Sequence, residues 1–217
     1  MRISPSILAA DFRHLEREIR RVEEASADGI HLDIMDGRFV PNLALGFQDI
    51  EAIRKTTSLP LDAHLMIDHP MDYWKRFADA GVGTVTAHIE VLPEPQAFLD
   101  AVRGAGLMAG LAARPGTDPS LLLAWAPRCD LVLQMTVEPG FYGQAFMPEA
   151  LPRVADLRAA LTRAVSKAQL QVDGGISPLS IAKAAKAGAD HFVVGSAAFK
   201  APDMKATLDQ MRKLAGG

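Results

Sequence analysis

Residues 30–37 read Ile30-His31-Leu32-Asp33-Ile34-Met35-Asp36-Gly37, a short apolar run stopped by a glycine. The length and the ending predict a strand over Ile30–Met35. Side chains alternate across a strand, so Leu32 and Ile34 share one side and His31, Asp33 and Met35 the other. The apolar pair belongs against a covering helix. A histidine and an aspartate then point into the opposite space, where branched apolar residues are the usual filling. An unpaired buried carboxylate costs several kcal/mol, so something positive must meet it.

Outward from this run the same unit repeats. Further strand-like runs are Ile3–Ala10, Leu61–Ile67, Thr84–Glu90, Leu107–Ala113, Leu131–Val137, Gln169–Asp173 and His191–Ala197. Longer amphipathic stretches such as Phe12–Ala25 and Met147–Thr162 lie between them at helical spacing. Ala80-Gly81, Ala105-Gly106 and Ala187-Gly188 close helices with the glycine expected just past a helix end. Strict strand–helix alternation predicts a parallel sheet covered by helices, and eight units predict an α/β, single-domain (β/α)8 TIM barrel over residues 1–217. An open doubly wound sheet is the alternative, but no G-x-G-x-x-G follows the first strand. In a barrel, chemistry belongs at the C-terminal strand ends and the loops beyond them.

Lys plus Arg number 23 and Asp plus Glu 26, so the net charge of −3 offers no footprint for nucleic acid or an anionic membrane. Attraction for an anionic substrate must therefore be built locally. Cys129 is the single cysteine, which excludes an intramolecular disulfide and a thiolate metal cage. The N-terminal apolar run is too short for a signal segment, so a cytoplasmic location is expected.

The third strand repeats the anomaly of the second, with His64 and Met66 on one face. The seventh ends in Asp173, followed by Gly174-Gly175. Two imidazoles and two carboxylates thus converge on one mouth. His31, Asp33, His64 and Asp173 suit one divalent ion such as Zn2+, Fe2+, Co2+ or Mn2+. His14, His69 and His191 fall on a helix, in a loop and at the inactive end. His88 ends strand four near the pocket, with no spacing that marks it as a ligand. Gly140-Phe141-Tyr142-Gly143 after strand six, Gly174-Gly175 after strand seven and Gly195-Ser196 after strand eight predict a phosphate grip. There, backbone N–H groups would hold an anion in an acidic protein. The Gly140–Gln144 stretch is long enough for a lid. Met35 and Met66 read either as barrel filling or as pocket lining.

Several segments together resemble the ribulose-phosphate 3-epimerase family. They are Ser4-Pro5-Ser6-Ile7-Leu8, His31–Gly37 with Phe39-Val40-Pro41-Asn42, His64-Leu65-Met66, Met135–Phe141, Val172–Gly175 and Gly195-Ser196. The resemblance implies a cytoplasmic isomerase of the pentose phosphate pathway, a homo-oligomer acting on a small sugar phosphate. It would interconvert D-ribulose 5-phosphate and D-xylulose 5-phosphate through a metal-stabilised enediolate. It further implies that His31, Asp33, His64 and Asp173 hold the metal and that Asp33 and Asp173 exchange protons with substrate. Ser6, His64, Met35 and Met66 would line the substrate, and the glycine loops would take its phosphate. Two departures stand out: Tyr142 where glycine is common, and Gln171 where glutamate is frequent. Arg114–Thr117 after strand five varies among relatives. An allulose-6-phosphate 3-epimerase would use the same groups, and a non-catalytic sugar-phosphate-binding protein would not need opposed carboxylates. A Schiff-base aldolase is disfavoured because no lysine lies in an expected strand.

Overall fold

The computed structural model describes residues 1–216. The strands are β1 (Arg2–Pro5), β2 (Ile30–Asp36), β3 (Leu43–Ala44), β4 (Leu61–Met66), β5 (Thr84–His88), β6 (Met108–Ala113), β7 (Leu131–Met135), β8 (Gln169–Asp173) and β9 (His191–Val194). The helices are α1 (Leu15–Glu24), α2 (Phe47–Thr56), α3 (Trp74–Asp79), α4 (Pro95–Gly104), α5 (Pro119–Trp125), α6 (Leu151–Arg163), α7 (Ile181–Lys186), α8 (Ser196–Phe199) and α9 (Met204–Leu214). Hydrogen-bonded neighbours run β1-β9-β8-β7-β6-β5-β4-β2-β3, all parallel except the β2–β3 pair. A single parallel bridge between Ser6 and His31 joins β1 to β2 and completes the ring. This is the expected α/β barrel. The small strand β3 is an addition, a hairpin return in which the Gly37 N–H donates to the Asn42 carbonyl at 2.9 Å.

Strand ends differ from expectation where local turns intervene. Ile3–Ala10 is extended only to Pro5, because Ile7–Ala9 winds into a tight turn. His191–Ala197 stops at Val194, because Ser196 begins α8. The three Ala-Gly closures do hold positive φ at Gly81, Gly106 and Gly188 (89°, 79° and 113°), the left-handed cap that glycine adopts without strain.

Alternation along the strands sorts the interior. Leu32, Ile34, Ala63 and Leu65 pack outward into the apolar layer under the helices. Registered pairs across β2 and β4 stack inward in three tiers: His31 with Asp62, Asp33 with His64, and Met35 with Met66. Across the lumen, Ala112, Leu131, Leu133, Met135 and Val137 form a separate apolar cluster. One half of the barrel interior is therefore polar and the other greasy, and the polar half rises to the C-terminal mouth.

His191 belongs to the lowest polar tier. Its Nε2 accepts from the Ser4 hydroxyl (2.8 Å) and its Nδ1–H donates to the Gln169 side-chain carbonyl (3.0 Å). Burial pushes this imidazole down from 6.5 to about 4, so it is neutral in the fold. Between those values the unfolded chain binds a proton that the folded chain refuses, so stability falls as pH falls through this window. The loss assignable to His191 is at most roughly 3 kcal/mol. Urea denaturation of the parent and of His191→Asn between pH 7 and pH 4 checks this. The variant is expected to show the shallower decline; the difference isolates His191 from groups such as Asp173 that titrate with the opposite sign. Parallel declines would refute the assignment.

Candidate active site

Asp33 ends the middle tier of β2, buried among groups that fix its direction. Its Oδ2 accepts from the Ser6 hydroxyl at 2.5 Å, and its Oδ1 stands 3.2 Å from His64 Nδ1. Asp173, the last residue of β8, reaches the same point from across the ring, with Oδ2 3.9 Å from His64 Nδ1. One ligand atom from each of His31, Asp33, His64 and Asp173 lies within 4.8 Å of all the others. This group of four could hold a metal ion.

The proton positions agree with that use. His31 Nδ1 is 2.9 Å from Asp62 Oδ2 and donates to it, which directs Nε2 at the cluster. Nε2 is fully buried and makes no hydrogen bond, although it stands 3.4 Å from Asp33 Oδ1. An orphaned ring nitrogen facing two carboxylates has the lone pair and the surroundings that a cation ligand needs. The charges agree too. Burial would lower the His31 imidazole, yet the Asp33 and Asp62 carboxylates raise it well above its ordinary value. A pocket that stabilises a proton there would stabilise a metal cation in its place.

The two aspartates are unequal. Burial would raise Asp33, but the His31 charge and the neighbouring His64 ring hold it well below the usual carboxylate range. Burial, reinforced by the Asp33 carboxylate, lifts Asp173 to about 6. One carboxylate is thus built to stay ionised and the other to carry a proton near neutrality.

Above the cluster opens a cavity of about 490 Å³. Ser6, Asp33, Met35, Met66 and Asp173 line its floor, and Gly140, Phe141, Tyr142, Gly143, Gly174, Gly175, Gly195 and Ser196 line the side below the β7–α6 loop. His31 and His64 lie behind this wall rather than in it. The glycine pair has a packing reason of its own. Gly174 has a φ of 120°, and a Cβ on it would lie 2.5 Å from Val137; on Gly175 it would lie 2.3 Å from the Phe146 backbone. The close approach seats the loop after β7 directly against the loop after β8. Asn42 donates to the Gly140 carbonyl at 2.8 Å, and Gln144 braces the loop from within by donating to the Glu138 and Phe141 carbonyls. Phe141 and Tyr142 remain exposed.

Three site features were not among the expectations. Met135 lines the floor beside Met35 and Met66; alternation along β7 from Leu133 would have found it. Lys183, on α7, lines the rim and escapes a search confined to strands. His88 is not one of the group of four but stands beside one of them, its Nε2 2.9 Å from His64 Nε2. Burial pushes it down to about 4, so it too is neutral. His14 and His69 are exposed, as their helix and loop positions suggested. Gln171 donates to Asp62 at 2.7 Å, a contact between a neutral amide and a carboxylate that an ionised glutamate could not make.

Comparison with known proteins fits this site. The ribulose-phosphate 3-epimerase family model matches residues 2–199. The chain belongs to the ribulose-phosphate 3-epimerase family. It is therefore an isomerase of the epimerase type. A ribulose-phosphate 3-epimerase of Mycobacterium leprae is 42% identical over 214 residues, covering 99% of this chain and 95% of that one. The cytoplasmic isoform of rice is 41% identical over 221 residues, covering 100% and 95%. Among solved structures, the 3-hexulose-6-phosphate synthase of Salmonella typhimurium shares the fold at a TM-score of 0.70 and 19% identity, covering 99% and 98%. Orotidine 5'-phosphate decarboxylase of Pyrococcus horikoshii does so at 0.70 and 16%, covering 99% of each chain. At these identities the likeness concerns the barrel alone. Among the described residues, no helix is long and apolar enough to cross a membrane.

Proposed function

We propose that this epimerase inverts C3 of a ketose phosphate, interconverting D-ribulose 5-phosphate and D-xylulose 5-phosphate in the pentose phosphate pathway. It would act as a cytoplasmic homo-oligomer, the location named for its rice relative. The observation that carries the reading is the convergence of two histidines and two unequal aspartates at the floor of one cavity.

His31, Asp33, His64 and Asp173 would hold one divalent ion, Zn2+ or Fe2+ before Co2+ or Mn2+ on the chemistry of the donors. When bound, it supplies Lewis-acid stabilisation of the negative charge that builds on the substrate oxygens as the C3 proton leaves. The chain's own residues do the rest. Asp33, held ionised, removes the proton in the ribulose-to-xylulose direction, and Asp173 delivers one to the opposite face. In the reverse direction the roles exchange. The Ser6 hydroxyl pins one Asp33 oxygen and leaves the carboxylate a fixed aim. Met35, Met66 and Met135 keep the floor dry beside the planar enediolate. The phosphate would sit on the glycine side, on backbone N–H groups of Gly140–Gly143, Gly174-Gly175 and Gly195-Ser196. Two features support that end: the Ser196 hydroxyl is buried without a partner, and Lys183 lies on the rim.

Incubation of the protein with D-ribulose 5-phosphate in D2O is expected to place deuterium at C3 as D-xylulose 5-phosphate forms. Stripping with a chelator should abolish both, and readding Zn2+ or Fe2+ should restore both. Full exchange in protein shown by elemental analysis to be metal-free would remove the metal from the reading. A higher rate with the six-carbon D-allulose 6-phosphate than with the pentulose would reassign the substrate.

A further inference from the structure

The ring of His64 raises a question that its own contacts do not answer. Nδ1 faces the cluster, 3.2 Å from Asp33 and 3.9 Å from Asp173, so as a ligand it must offer a lone pair there. A neutral imidazole then carries its proton on Nε2. Nothing on β4 enforces that choice. The enforcement comes from the next strand: His64 Nε2 is 2.9 Å from His88 Nε2, and His88 Nδ1 is 3.1 Å from Glu90 Oε2.

Asp33, His64, His88 and Glu90 make three contacts in a row, and two neutral rings carry only two protons, so one contact goes without a hydrogen bond. With that gap at His64 Nδ1 and Asp33, where a cation would stand, the proton positions are fixed. Glu90 is an acceptor, so His88 must carry its proton on Nδ1. His88 Nε2 is then a lone pair and must be met by a donor, which places the His64 proton on Nε2 and frees Nδ1 toward the cluster. Glu90 is itself held from the far side, where its Oε1 accepts from the Arg114 N–H at 2.8 Å and from the Thr117 hydroxyl. The stack is also clamped sideways. The His64 and His88 ring centroids are 5.0 Å apart, Phe39 covers His88 at 4.6 Å, and Arg114 lies over Phe39 at 4.0 Å. Neither His88 nor Glu90 lines the cavity.

We propose that His88 and Glu90 are positioning residues, a two-step relay that sets the tautomer and ring orientation of His64 as a metal ligand. The proposal rests on the metal reading of the site. It gives His64, through two residues, what Asp62 gives His31 directly, and it gives the Arg114–Thr117 segment a role as the anchor of the relay.

The test is Zn2+ affinity, measured by competition with a chromophoric chelator on intact, folded protein. His88→Phe keeps a ring in the stack but removes the acceptor, and is expected to weaken Zn2+ binding by roughly 10- to 100-fold. His88→Gln restores an acceptor at similar reach and should recover most of that loss, which a purely structural role would not predict. Deuterium exchange at saturating Zn2+ should fall less than affinity, with KM little changed. Glu90→Gln, expected to weaken binding several-fold, serves if His88→Phe does not fold. Parental Zn2+ affinity in the folded variants, together with loss of binding in His31→Ala, would overturn the relay and leave the metal site standing. A parent protein that binds no Zn2+, Fe2+, Co2+ or Mn2+ would overturn both.

Discussion

Asp33→Asn is expected to lower kcat for epimerisation by about 10⁴-fold or more, the largest effect of any single substitution in this chain. General base catalysis alone accounts for roughly 10²- to 10⁴-fold. Asp33 also supplies an oxygen to the cluster of four and the negative charge that raises His31, so its neutralisation weakens the cation site as well. The amide keeps the size and the contact with Ser6, which separates loss of chemistry from loss of shape. With D-ribulose 5-phosphate in D2O the variant should incorporate almost no deuterium at C3, and added Zn2+ should not rescue it. An unchanged melting temperature beside that loss would confirm a functional cause. Exchange at the parental rate would mean that another group removes the proton.

Asp173→Asn is expected to cost about 10²- to 10⁴-fold in turnover, with a different signature. Asp33 remains ionised and able to take the C3 proton from D-ribulose 5-phosphate. Without Asp173 to protonate the other face, Asp33 can return hydrogen only to the face it came from, after exchange with solvent. Deuterium should therefore enter residual D-ribulose 5-phosphate faster than D-xylulose 5-phosphate appears, an exchange without inversion that is not expected of the parent. Weakened metal binding would scale both rates together and leave their ratio as the diagnostic. If the ratio stays parental while both rates fall, Asp173 is a ligand and not the second acid.

Both aspartates were legible in the sequence for different reasons. Asp33 is betrayed by alternation, because Leu32 and Ile34 claim the shell and leave it only the lumen. Asp173 is marked by its place at a strand end before two glycines. His31 and His64 follow by the same periodicity, and β2–β4 pairing sets Asp33 opposite His64. What stayed hidden depends on contacts between strands and between loops. His88 and Glu90 matter through a neighbour on β4, and no spacing along the chain encodes an imidazole-to-imidazole contact. Gln171 read only as a departure from a frequent glutamate; its meaning appears once Asp62, distant in sequence, is seen accepting its amide. The extended run Ile3–Ala10 was cut at Pro5, because hydrophobicity alone does not separate a strand from a tight turn whose Ile7 is buried.

The bridge between Ser6 and His31 has a bearing on how such an enzyme can change. Along its other flank β1 is zipped to β9 through four registered pairs, whereas against β2 it is fastened by a single stitch. That stitch joins the serine that donates to Asp33 to a histidine of the group of four. The seam where the sheet closes on itself and the floor proposed for proton transfer therefore share Ser6 and His31. A change here would loosen the one bridge between β1 and β2 and disturb the Ser6 contact that orients Asp33 in one move. Selection on catalysis at this seam is at the same time selection on the closure of the fold.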